Sequence, residues 1–320
     1  MQPLQSSRIA AGVAVVALVV LAGCGISSSD SGAVADGESP PPSEERFDGV
    51  LSVDGQDRTF TLVLPVSQGA TLPLIIAMHG GGGNAKQFED TSGLTPTALS
   101  AGYAVAYPNG IESRGPLGLQ TWNGGACCGR AADTNVDDVA FITQLLDLLE
   151  RDYPIDPTRI YATGHSNGGM MAYRLACESS DQIAAVVANG TAMVVDECAP
   201  TRPVPVLHLH SVLDENVPVD GGAGVGPETN EYPPLEMTIG NWVAINGCPV
   251  DPVEVTADQV THRTWGPCEA DTAVELYLTD DGGHGWPGGQ PGSRRGDEPS
   301  TAIDANELLL GFFSRFELPG

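Results

Sequence analysis

One short stretch, Gly164–Gly168 with the sequence Gly-His-Ser-Asn-Gly, constrains the fold of this chain more than any other. The β-branched and aromatic run Arg159–Thr163 precedes it, and Gly169–Ala176, a segment compatible with a helix, follows it. A serine at a sharp turn between a strand and a helix is the arrangement of a nucleophile elbow, and the flanking glycines make room for the strained turn. The pattern predicts that Ser166 is a catalytic nucleophile with a helix N-terminus directed at any anion formed there.

The charge balance excludes several classes of partner. The chain has 320 residues, with 41 acidic side chains against 14 lysines and arginines, and its formal net charge is -27. This excess of negative charge argues against binding to nucleic acid or to an anionic membrane surface. Hydrophobic residues make up 41% of the chain, enough for the core of one large α/β domain. No cysteine spacing matches a zinc site. We expect neither a metal nor a cofactor.

The first 23 residues have the pattern of an export signal. The apolar run Ile9–Leu21 is too short to span a membrane, and it ends in Leu-Ala-Gly before Cys24. This ending resembles the lipobox of bacterial lipoproteins, which implies cleavage before Cys24 and lipidation of its sulfur, with an ordinary secretory signal as the alternative. Residues 24–46 are rich in serine and proline and predict a disordered spacer before a catalytic domain at 47–320. We expect a secreted protein at the cell surface, lipid-anchored to a bacterial membrane.

Strand and helix patterns alternate through most of the chain. This alternation predicts an α/β fold with a mostly parallel sheet covered by helices on both faces. The continuous apolar run Leu72–Met78 is typical of a strand buried on both faces, and Gly49–Val53 with Thr59–Leu64 predicts a β-hairpin. Helical spacing of apolar residues is found in Val136–Tyr153, Pro233–Ile245 and Thr301–Phe316. Asp137 and Asp138 are expected to be charges in the first turn of the first of these helices.

The glycine-rich run His79–Asn84 follows the buried strand directly. It lacks the Gly-Lys-Ser/Thr ending of a phosphate-binding loop. Upstream of a nucleophile elbow, it indicates an oxyanion-hole loop of the His-Gly-Gly-Gly type. The backbone amides of Gly81 and Asn167 are the predicted oxyanion donors, with Gly82 replacing Gly81 if the loop is shifted.

In an α/β-hydrolase fold the acid and then the base follow the nucleophile, each on a loop after a strand. Asp214 follows the apolar strand Val204–His210 and is the predicted acid, whereas Asp220 precedes two glycines and is interpreted as a turn residue. His284 stands in a glycine-rich turn after another strand and is the predicted base. His262 lacks a preceding buried strand.

Other histidines near this site have simpler interpretations. His208 and His210 are two residues apart on a strand and therefore share a face, so with Asp214 they could bind a metal. The favoured interpretation is that one packs in the core and the other supports the site. His79 and His165 are interpreted as structural neighbours of the chemistry.

Six cysteines remain after Cys24, an even number that suggests disulfides in an exported chain. The predicted pairs are Cys248 with Cys268 and Cys177 with Cys198. In this scheme Cys127 and Cys128 form either a vicinal bridge or two thiols. The alternative crosses this adjacent pair onto the two cysteines that flank the strand after the elbow helix.

Two tryptophans are candidate walls of the substrate site. Trp122 lies on a long irregular loop, and Trp286 follows His284 by two residues. Aromatic faces suit flat or ring-bearing groups, although Trp286 could instead pack beneath the turn. With Lys86 the sole lysine, the acidic exterior should repel anionic substrates. We expect neutral short-chain or aryl esters, hydroxyacid oligomers, and feruloyl- or acetyl-sugar esters.

A set of motifs together resembles one known family. These motifs are His79–Asn84, Trp122-Asn123 with Cys127-Cys128-Gly129, Val136–Val139, Gly164–Met170 and Gly282–Gly288. The combination is similar to the polyhydroxybutyrate depolymerase/feruloyl esterase family, and to the lipoprotein-anchored esterases grouped with family 1 carbohydrate esterases. The resemblance implies an α/β-hydrolase fold and a carboxylic ester hydrolase with Ser166, Asp214 and His284 as its triad.

Two other functions fit parts of this pattern. The same triad could serve an acyltransferase that passes the acyl group to a sugar or glycerol hydroxyl, and trapping with alcohols would separate it from an esterase. A cell-surface binding protein on an inactive hydrolase scaffold is the other alternative. A complete set of nucleophile, acid, base and oxyanion glycines argues against it.

Overall fold

The computed structural model describes residues 43–66, 69–225, 230–293 and 296–319. The predicted signal peptide, the lipidation site Cys24 and nearly all of the predicted spacer lie outside these residues. Within the described chain, no helix is both long enough and apolar enough to cross a membrane.

Strands and helices alternate along the described chain. The strands are β1 Glu44–Val53, β2 Gln56–Pro65, β3 Leu72–Met78, β4 Ala104–Pro108, β5 Ile111–Glu112, β6 Gln120–Thr121, β7 Ile155–His165, β8 Ala185–Asn189, β9 Val206–Ser211, β10 Gly222–Ala223, β11 Glu231–Tyr232, β12 Val253–Ala257, β13 Val260–Trp265 and β14 Val274–Thr279. The helices are α1 Ala85–Ser92, α2 Leu94–Ser100, α3 Gly129–Asp133, α4 Asp138–Asp152, α5 Asn167–Glu178, α6 Leu235–Ile245 and α7 Ala305–Phe313, with a 3-10 turn at Glu269–Asp271.

Ten of these strands form one sheet in the order β1-β2-β4-β3-β7-β8-β9-β14-β13-β12. The six central strands, from β4 to β14, pair in parallel, and the hairpins β1–β2 and β12–β13 add antiparallel edges. The carboxyl ends of β3, β7, β9 and β14 therefore meet at the same edge of the sheet. The predicted α/β fold is confirmed, and this edge gathers the loops that carry the predicted site.

Both faces of the sheet are covered by helices. Every residue of β3 is buried, and alternate side chains enter different cores because successive residues of a strand face opposite sides. Leu74 and Ile76 pack in the core that contains Phe141 of α4, together with α5 and α6. Ile75 packs in the core that contains Phe313 of α7, together with α1 and α2. The continuous apolar run in the sequence reflects this double burial.

The predicted hairpin forms, and its first strand begins earlier than expected. β1 starts at Glu44, within the predicted spacer, and its register pairs Glu44 with Pro65. Arg46 donates two hydrogen bonds to the carboxylate of Glu89 on α1, at 2.9 and 2.7 Å. This contact between distant parts of the chain holds the start of the strand on the domain, and local composition gave no sign of it.

Three disulfides join the six cysteines of the domain. Cys177 pairs with Cys198 and Cys248 with Cys268, as predicted, and the adjacent Cys127 and Cys128 pair with each other. The crossed alternative is therefore not formed. Cys177 lies in the last turn of α5, so the second half of the elbow helix is tied covalently to the segment after β8.

The edge hairpin β12–β13 was not predicted from the sequence. Its first strand is exposed at every position, so it lacks the apolar alternation that marks a half-buried strand. His262 lies on β13 and bonds to Glu275 of β14 at 3.1 Å, far along the sheet from Ser166 in strand order. This placement agrees with leaving His262 out of the predicted site.

A buried ion pair connects three parts of the fold. Arg58 of β2 donates to Asp138 at 2.6 Å, and the two side chains are 3% and 0% exposed. The other carboxylate oxygen of Asp138 accepts from the backbone N–H of Asn123 at 2.8 Å. Asp137 caps α4 by accepting from the N–H of Ala140, and Asp138 lies in the first turn of the helix, as predicted. What the sequence did not indicate is the ion pair of Asp138. Its partners lie far away in sequence.

We predict that Asp138→Asn lowers the free energy of unfolding by about 3–5 kcal/mol, because it leaves the charge of Arg58 buried without its partner. The matched control is Asp137→Asn on the exposed side of the same turn, where asparagine caps a helix as well as aspartate. It should change stability by no more than about 0.5 kcal/mol. Denaturant unfolding of both variants measures the difference, and equal small losses would contradict the ion pair's role.

Candidate active site

Ser166 lies at the turn between β7 and α5. Its backbone has φ 54° and ψ -123°, a conformation that costs free energy for a residue with a side chain. A Cβ atom on Gly164 would overlap the backbone of Gly168, and a Cβ atom on Gly168 would overlap the carbonyl of Met78 on β3. Both glycines are therefore required by close backbone contacts, and the predicted elbow geometry is what the structure has.

The three residues predicted as a triad form a continuous row. The hydroxyl of Ser166 lies 2.8 Å from Nε2 of His284, and Nδ1 of His284 lies 2.7 Å from Oδ2 of Asp214. Because a carboxylate only accepts, Nδ1 carries the hydrogen and Nε2 is free to accept from the serine hydroxyl. This is the tautomer that a general base for Ser166 needs.

Asp214 is held by its own loop. Its Oδ1 accepts from the backbone N–H groups of Asn216 and Val217, both at 2.8 Å, which leaves Oδ2 directed at His284. Burial by itself raises the pKa of the Asp214 carboxyl, but the hydrogen bond from His284, the nearby imidazoles of His284 and His210, and the N–H of Val217 outweigh it and hold that pKa below its ordinary value. Asp214 is therefore ionised at neutral pH. Asp220 is exposed and lies in the turn that follows, as predicted.

The loop that carries His284 is fixed by an acid that sequence reasoning missed. The backbone N–H of His284 donates to Oδ2 of Asp297 at 2.8 Å, and a Cβ atom on Gly283 would overlap that same side chain. Asp297 lies 13 residues after the histidine in a polar segment. No local pattern distinguishes it from the many other surface acids of this chain.

Two backbone N–H groups beside Ser166 are free to act as oxyanion donors. Neither Gly81 nor Asn167 donates its backbone N–H to another described residue, whereas the N–H of Gly82 donates to the carbonyl of Gln120 at 2.7 Å. Gly82 is therefore occupied, and Gly81 is the candidate of the two. The side chain of Asn167 bonds to both backbone groups of Trp122, at 2.7 and 2.9 Å, so the start of the elbow helix is attached to the long loop.

Trp122 is not a wall of the site, contrary to expectation. Its side chain is 0% exposed, and its ring stacks on Phe141 of α4 with an interplanar angle of 10°. Its indole N–H donates to the carbonyl of His79 at 3.0 Å. Trp122 thus supports the oxyanion loop from inside the core. The sequence around Trp122, a long glycine-rich loop, does not distinguish a tryptophan that lines a pocket from one that packs in the core.

His79 holds the oxyanion loop in place as a neutral side chain. Its Nδ1–H donates to the carbonyl of Gly80 at 2.8 Å, and its Nε2 accepts from the N–H of Gly110 at 3.0 Å. Burial lowers the pKa of His79 to about 4, with a smaller contribution from the charge of Arg58. This agrees with its interpretation as a structural neighbour of the site.

His165 lies beside His284, with ring centroids 4.5 Å apart. Its Nδ1 accepts from the side-chain amide of Asn189 at 2.8 Å, and the same amide donates to the carbonyl of Gly285 at 2.9 Å. Burial, followed by the neighbouring His284, lowers the pKa of His165 to about 3. His165 is therefore neutral, and Asn189 connects the elbow to the loop of the base.

His208 and His210 form a chain of hydrogen bonds rather than a metal site. The carbonyl of Val217 can only accept, so Nε2 of His210 donates to it at 2.9 Å, and Nδ1 of His210 then accepts from Nε2 of His208, also at 2.9 Å. His208 in turn accepts from the hydroxyl of Tyr173 on α5. Burial lowers the pKa of both histidines. Among the described residues no cluster suited to a metal ion was found.

Two pockets open beside Ser166 in the described part of the chain, and both also reach His284. One, of about 490 Å³, is lined by backbone of the oxyanion loop and by polar side chains such as Asn84, Gln87 and Gln290. Trp286 contributes to it but is only 3% exposed, packing edge-on against Phe88. The other, of about 460 Å³, is more apolar; its lining includes Leu119, Cys128, Arg130, Met170, Val217 and Tyr232.

Comparison with known proteins supports the family expected from the sequence motifs. Residues 65–225 match the phospholipase/carboxylesterase family. The chain is 32% identical over 219 residues to feruloyl esterase B of Piromyces equi and spans 39% of that protein's length, with 66% of this chain aligned. It is 31% identical over 266 residues to the putative esterase NocK of Nocardia uniformis subsp. tsuyamanensis, covering 75% of this chain and 74% of that protein.

The chain belongs to the phospholipase/carboxylesterase family. Among solved structures, an acetyl xylan esterase from Aspergillus awamori superposes with a TM-score of 0.60 at 14% identity, over 84% of this chain and 99% of that one. At this identity the likeness shows the α/β-hydrolase fold alone. The resemblance to feruloyl esterases and the expected class of enzyme, a carboxylic ester hydrolase, are thus confirmed at the level of the family.

Because the buried side chain of His79 is neutral in the folded protein, we expect the stability of the fold to decrease in acid. The pKa of His79 is about 4 in the folded protein against 6.5 ordinarily, so the unfolded chain binds more protons as the pH falls below 6.5. Stability is therefore full above that pH and is lost as the pH falls toward 4, by about 2 kcal/mol for this one group at pH 4.5.

We predict that His79→Gln, which keeps an acceptor for the N–H of Gly110 but cannot bind a proton, reduces this loss. The variant can be less stable than the wild type at both pH values because the hydrogen bond to Gly80 changes. Its decline in unfolding free energy between pH 7 and pH 4.5 should nevertheless be smaller by about 2 kcal/mol. Denaturant unfolding at the two pH values measures the decline. Equal declines in the two proteins would contradict a neutral His79.

Proposed function

We propose that this protein is a serine esterase in which Ser166 is the nucleophile, His284 the general base and Asp214 the acid that orients it. The observation that carries the proposal is the row of hydrogen bonds from Ser166 through His284 to Asp214, at 2.8 and 2.7 Å. The tautomer of His284 and the ionised state of Asp214 agree with these roles. Membership of a carboxylesterase family supports the same reaction class.

The proposed reaction follows from these atoms. Nε2 of His284 takes the proton of Ser166 while the serine oxygen attacks the ester carbonyl, and the free N–H groups of Gly81 and Asn167 bind the oxyanion. His284 then gives the proton to the leaving alcohol, and an acyl-enzyme remains. Water, activated by the same imidazole, releases the acid and restores Ser166. Asp214 keeps the imidazole in the required tautomer and stabilises its positive charge.

The proposed substrates are short-chain esters, soluble hydroxyacid oligomers, and feruloyl- or acetyl-sugar esters. The polar pocket suits the alcohol half of a sugar ester, since its amide side chains can bond to hydroxyl groups. The relatives include proteins named feruloyl esterase and acetylxylan esterase, which supports this class. We further propose that the protein is exported and held at the cell surface by a lipid on Cys24, as the N-terminal pattern indicates.

The roles of the triad predict large losses of turnover in single variants. Ser166→Ala or His284→Ala should lower kcat/KM for a nitrophenyl ester by about four to six decades. Asp214→Asn should lower it by about four decades, because the neighbouring amide favours the wrong imidazole tautomer. A fluorophosphonate probe should label the wild type at Ser166, as shown by mapping the labelled peptide, and should not label Ser166→Ala.

The matched control for the acid is Asp220→Asn, which removes a carboxylate six residues later in an exposed turn. It should retain nearly the activity of the wild type. Loss of activity in Asp220→Asn with retention in Asp214→Asn would overturn the assignment of the acid. Near-ultraviolet circular dichroism of each variant would show whether packing is intact.

Chain length gives a separate test of the substrate class. We predict that nitrophenyl esters of two to six carbons are hydrolysed at least tenfold faster in kcat/KM than the twelve-carbon ester, a difference of about 1.4 kcal/mol. The physical reason is that the apolar pocket beside Ser166 has a volume of about 460 Å³, so methylene groups that extend beyond it gain no burial. Methyl ferulate and a hydroxybutyrate oligomer complete the series. Preference for twelve or more carbons would contradict the proposed pocket.

A further inference from the structure

Arg130 is the one arginine, lysine or acidic side chain among the described residues that line the apolar pocket beside Ser166. Arg130 follows the vicinal disulfide and lies in the short helix α3. The rest of the lining, from Leu119 through Cys128 and Met170 to Tyr232, supplies apolar, sulfur, hydroxyl and amide groups. Among the described residues of the chain, no aspartate or glutamate contributes to this lining.

The guanidinium of Arg130 is incompletely satisfied by the protein. One Nη1–H donates to the backbone carbonyl of Glu112. Its Nε atom is buried and has no hydrogen-bond partner, and no carboxylate among residues 43–66, 69–225, 230–293 and 296–319 lies within 4.0 Å of it. A buried donor without an acceptor is costly, and a guanidinium presents five donors in a planar fork.

Arg130 differs in this respect from most cations of the described chain. Those paired with a carboxylate are Arg46, Arg58, Lys86, Arg151, Arg159, Arg174, Arg263 and Arg315. Of the others, Arg114 is exposed on a loop, and Arg202 donates to four backbone carbonyls. In a protein with 41 acidic residues, an arginine that lines a pocket and has no carboxylate partner among the described residues is unusual.

The chemistry that would complete this site is a carboxylate. Arginine matches a carboxylate with two parallel hydrogen bonds, and such charge-assisted bonds are stronger than neutral ones in a partly desolvated pocket. The net charge of -27 repels anions from the protein as a whole. A positive group inside a pocket, however, lies closer to a bound ligand than the exterior charges do, and salt screens it less. The earlier expectation that anionic substrates are repelled therefore does not extend to this pocket.

We infer that Arg130 binds a carboxylate on one half of the ester, so that the enzyme accepts esters with an acidic group several atoms from the scissile carbonyl. The inference rests on the proposed esterase function. A cavity of about 460 Å³ corresponds to a sphere about 10 Å across. A six-carbon dicarboxylic acid, attached as a monoester, would place its free carboxylate within such a span from Ser166.

The experiment compares matched charged and neutral esters. The acyl arm uses the mono-nitrophenyl ester of adipic acid against nitrophenyl hexanoate, because adipate is too long to cleave itself through a five- or six-membered cyclic anhydride. The alcohol arm uses 4-carboxyphenyl acetate against phenyl acetate. The proteins are the wild type, Arg130→Gln, and Arg114→Gln as a control that removes the same charge from an exposed position.

We expect the ratio of kcat/KM for the charged ester to that for the neutral ester to fall by about 10- to 100-fold in Arg130→Gln, in one of the two arms. The ratio should stay within about twofold of wild type in Arg114→Gln. The arm that responds identifies the half of the ester that enters the apolar pocket. Turnover of the neutral esters should persist in Arg130→Gln, which shows that the variant folds.

Three outcomes would overturn the inference. Arg130→Gln could lower turnover of charged and neutral esters equally, which would make Arg130 a support for the loop of Glu112. Arg114→Gln could change the ratio as much as Arg130→Gln, which would indicate a long-range effect of net charge. The ratio could also be unchanged in both arms. If the wild type hydrolyses none of the four esters, the proposed function fails, whereas turnover of the neutral esters alone leaves that function standing.

Discussion

The site depends on the absence of side chains at Gly164 and Gly168. The backbone of Gly168 lies against the carbonyl of Met78, so the start of α5 touches the end of the neighbouring strand β3. This contact lets Ser166 adopt its positive φ, and it brings the N–H of Asn167 beside the loop that begins at His79. The proposed nucleophile and the two proposed oxyanion donors are therefore positioned by one backbone contact between adjacent parallel strands. A single Cβ at Gly168 would separate them.

Around this contact, uncharged imidazoles form hydrogen bonds that connect the loops of the site. His79 fixes the oxyanion loop, His165 connects the elbow to Asn189, and His210 reaches the loop of Asp214 through Val217. Each is neutral because burial lowers its pKa, and a neutral imidazole can donate on one side and accept on the other. The loops that carry the proposed nucleophile, oxyanion hole and acid are thereby linked without a buried charge at any of these three positions.

Local patterns in the sequence predicted the features that depend on local geometry. The strand-turn-helix at Ser166, the hairpin and the buried strand β3 each follow from a turn or a period in the sequence. Features that depend on distant partners were missed. The ion pair of Asp138 was missed because its partner, Arg58, lies 80 residues earlier. Asp297 and the buried position of Trp122 were hidden for the same reason, since neither has a distinguishing neighbour in sequence.

The two pockets that meet at Ser166 have a consequence for the order of events in the proposed reaction. An ester bound across the serine places one half in each pocket, so its two products need not leave by the same route. When the first product has left, its pocket becomes the path by which water reaches the acyl-enzyme while the other half stays bound. The size and polarity of the vacated pocket would then govern which nucleophile arrives, and hydrolysis would compete there with any alcohol able to enter.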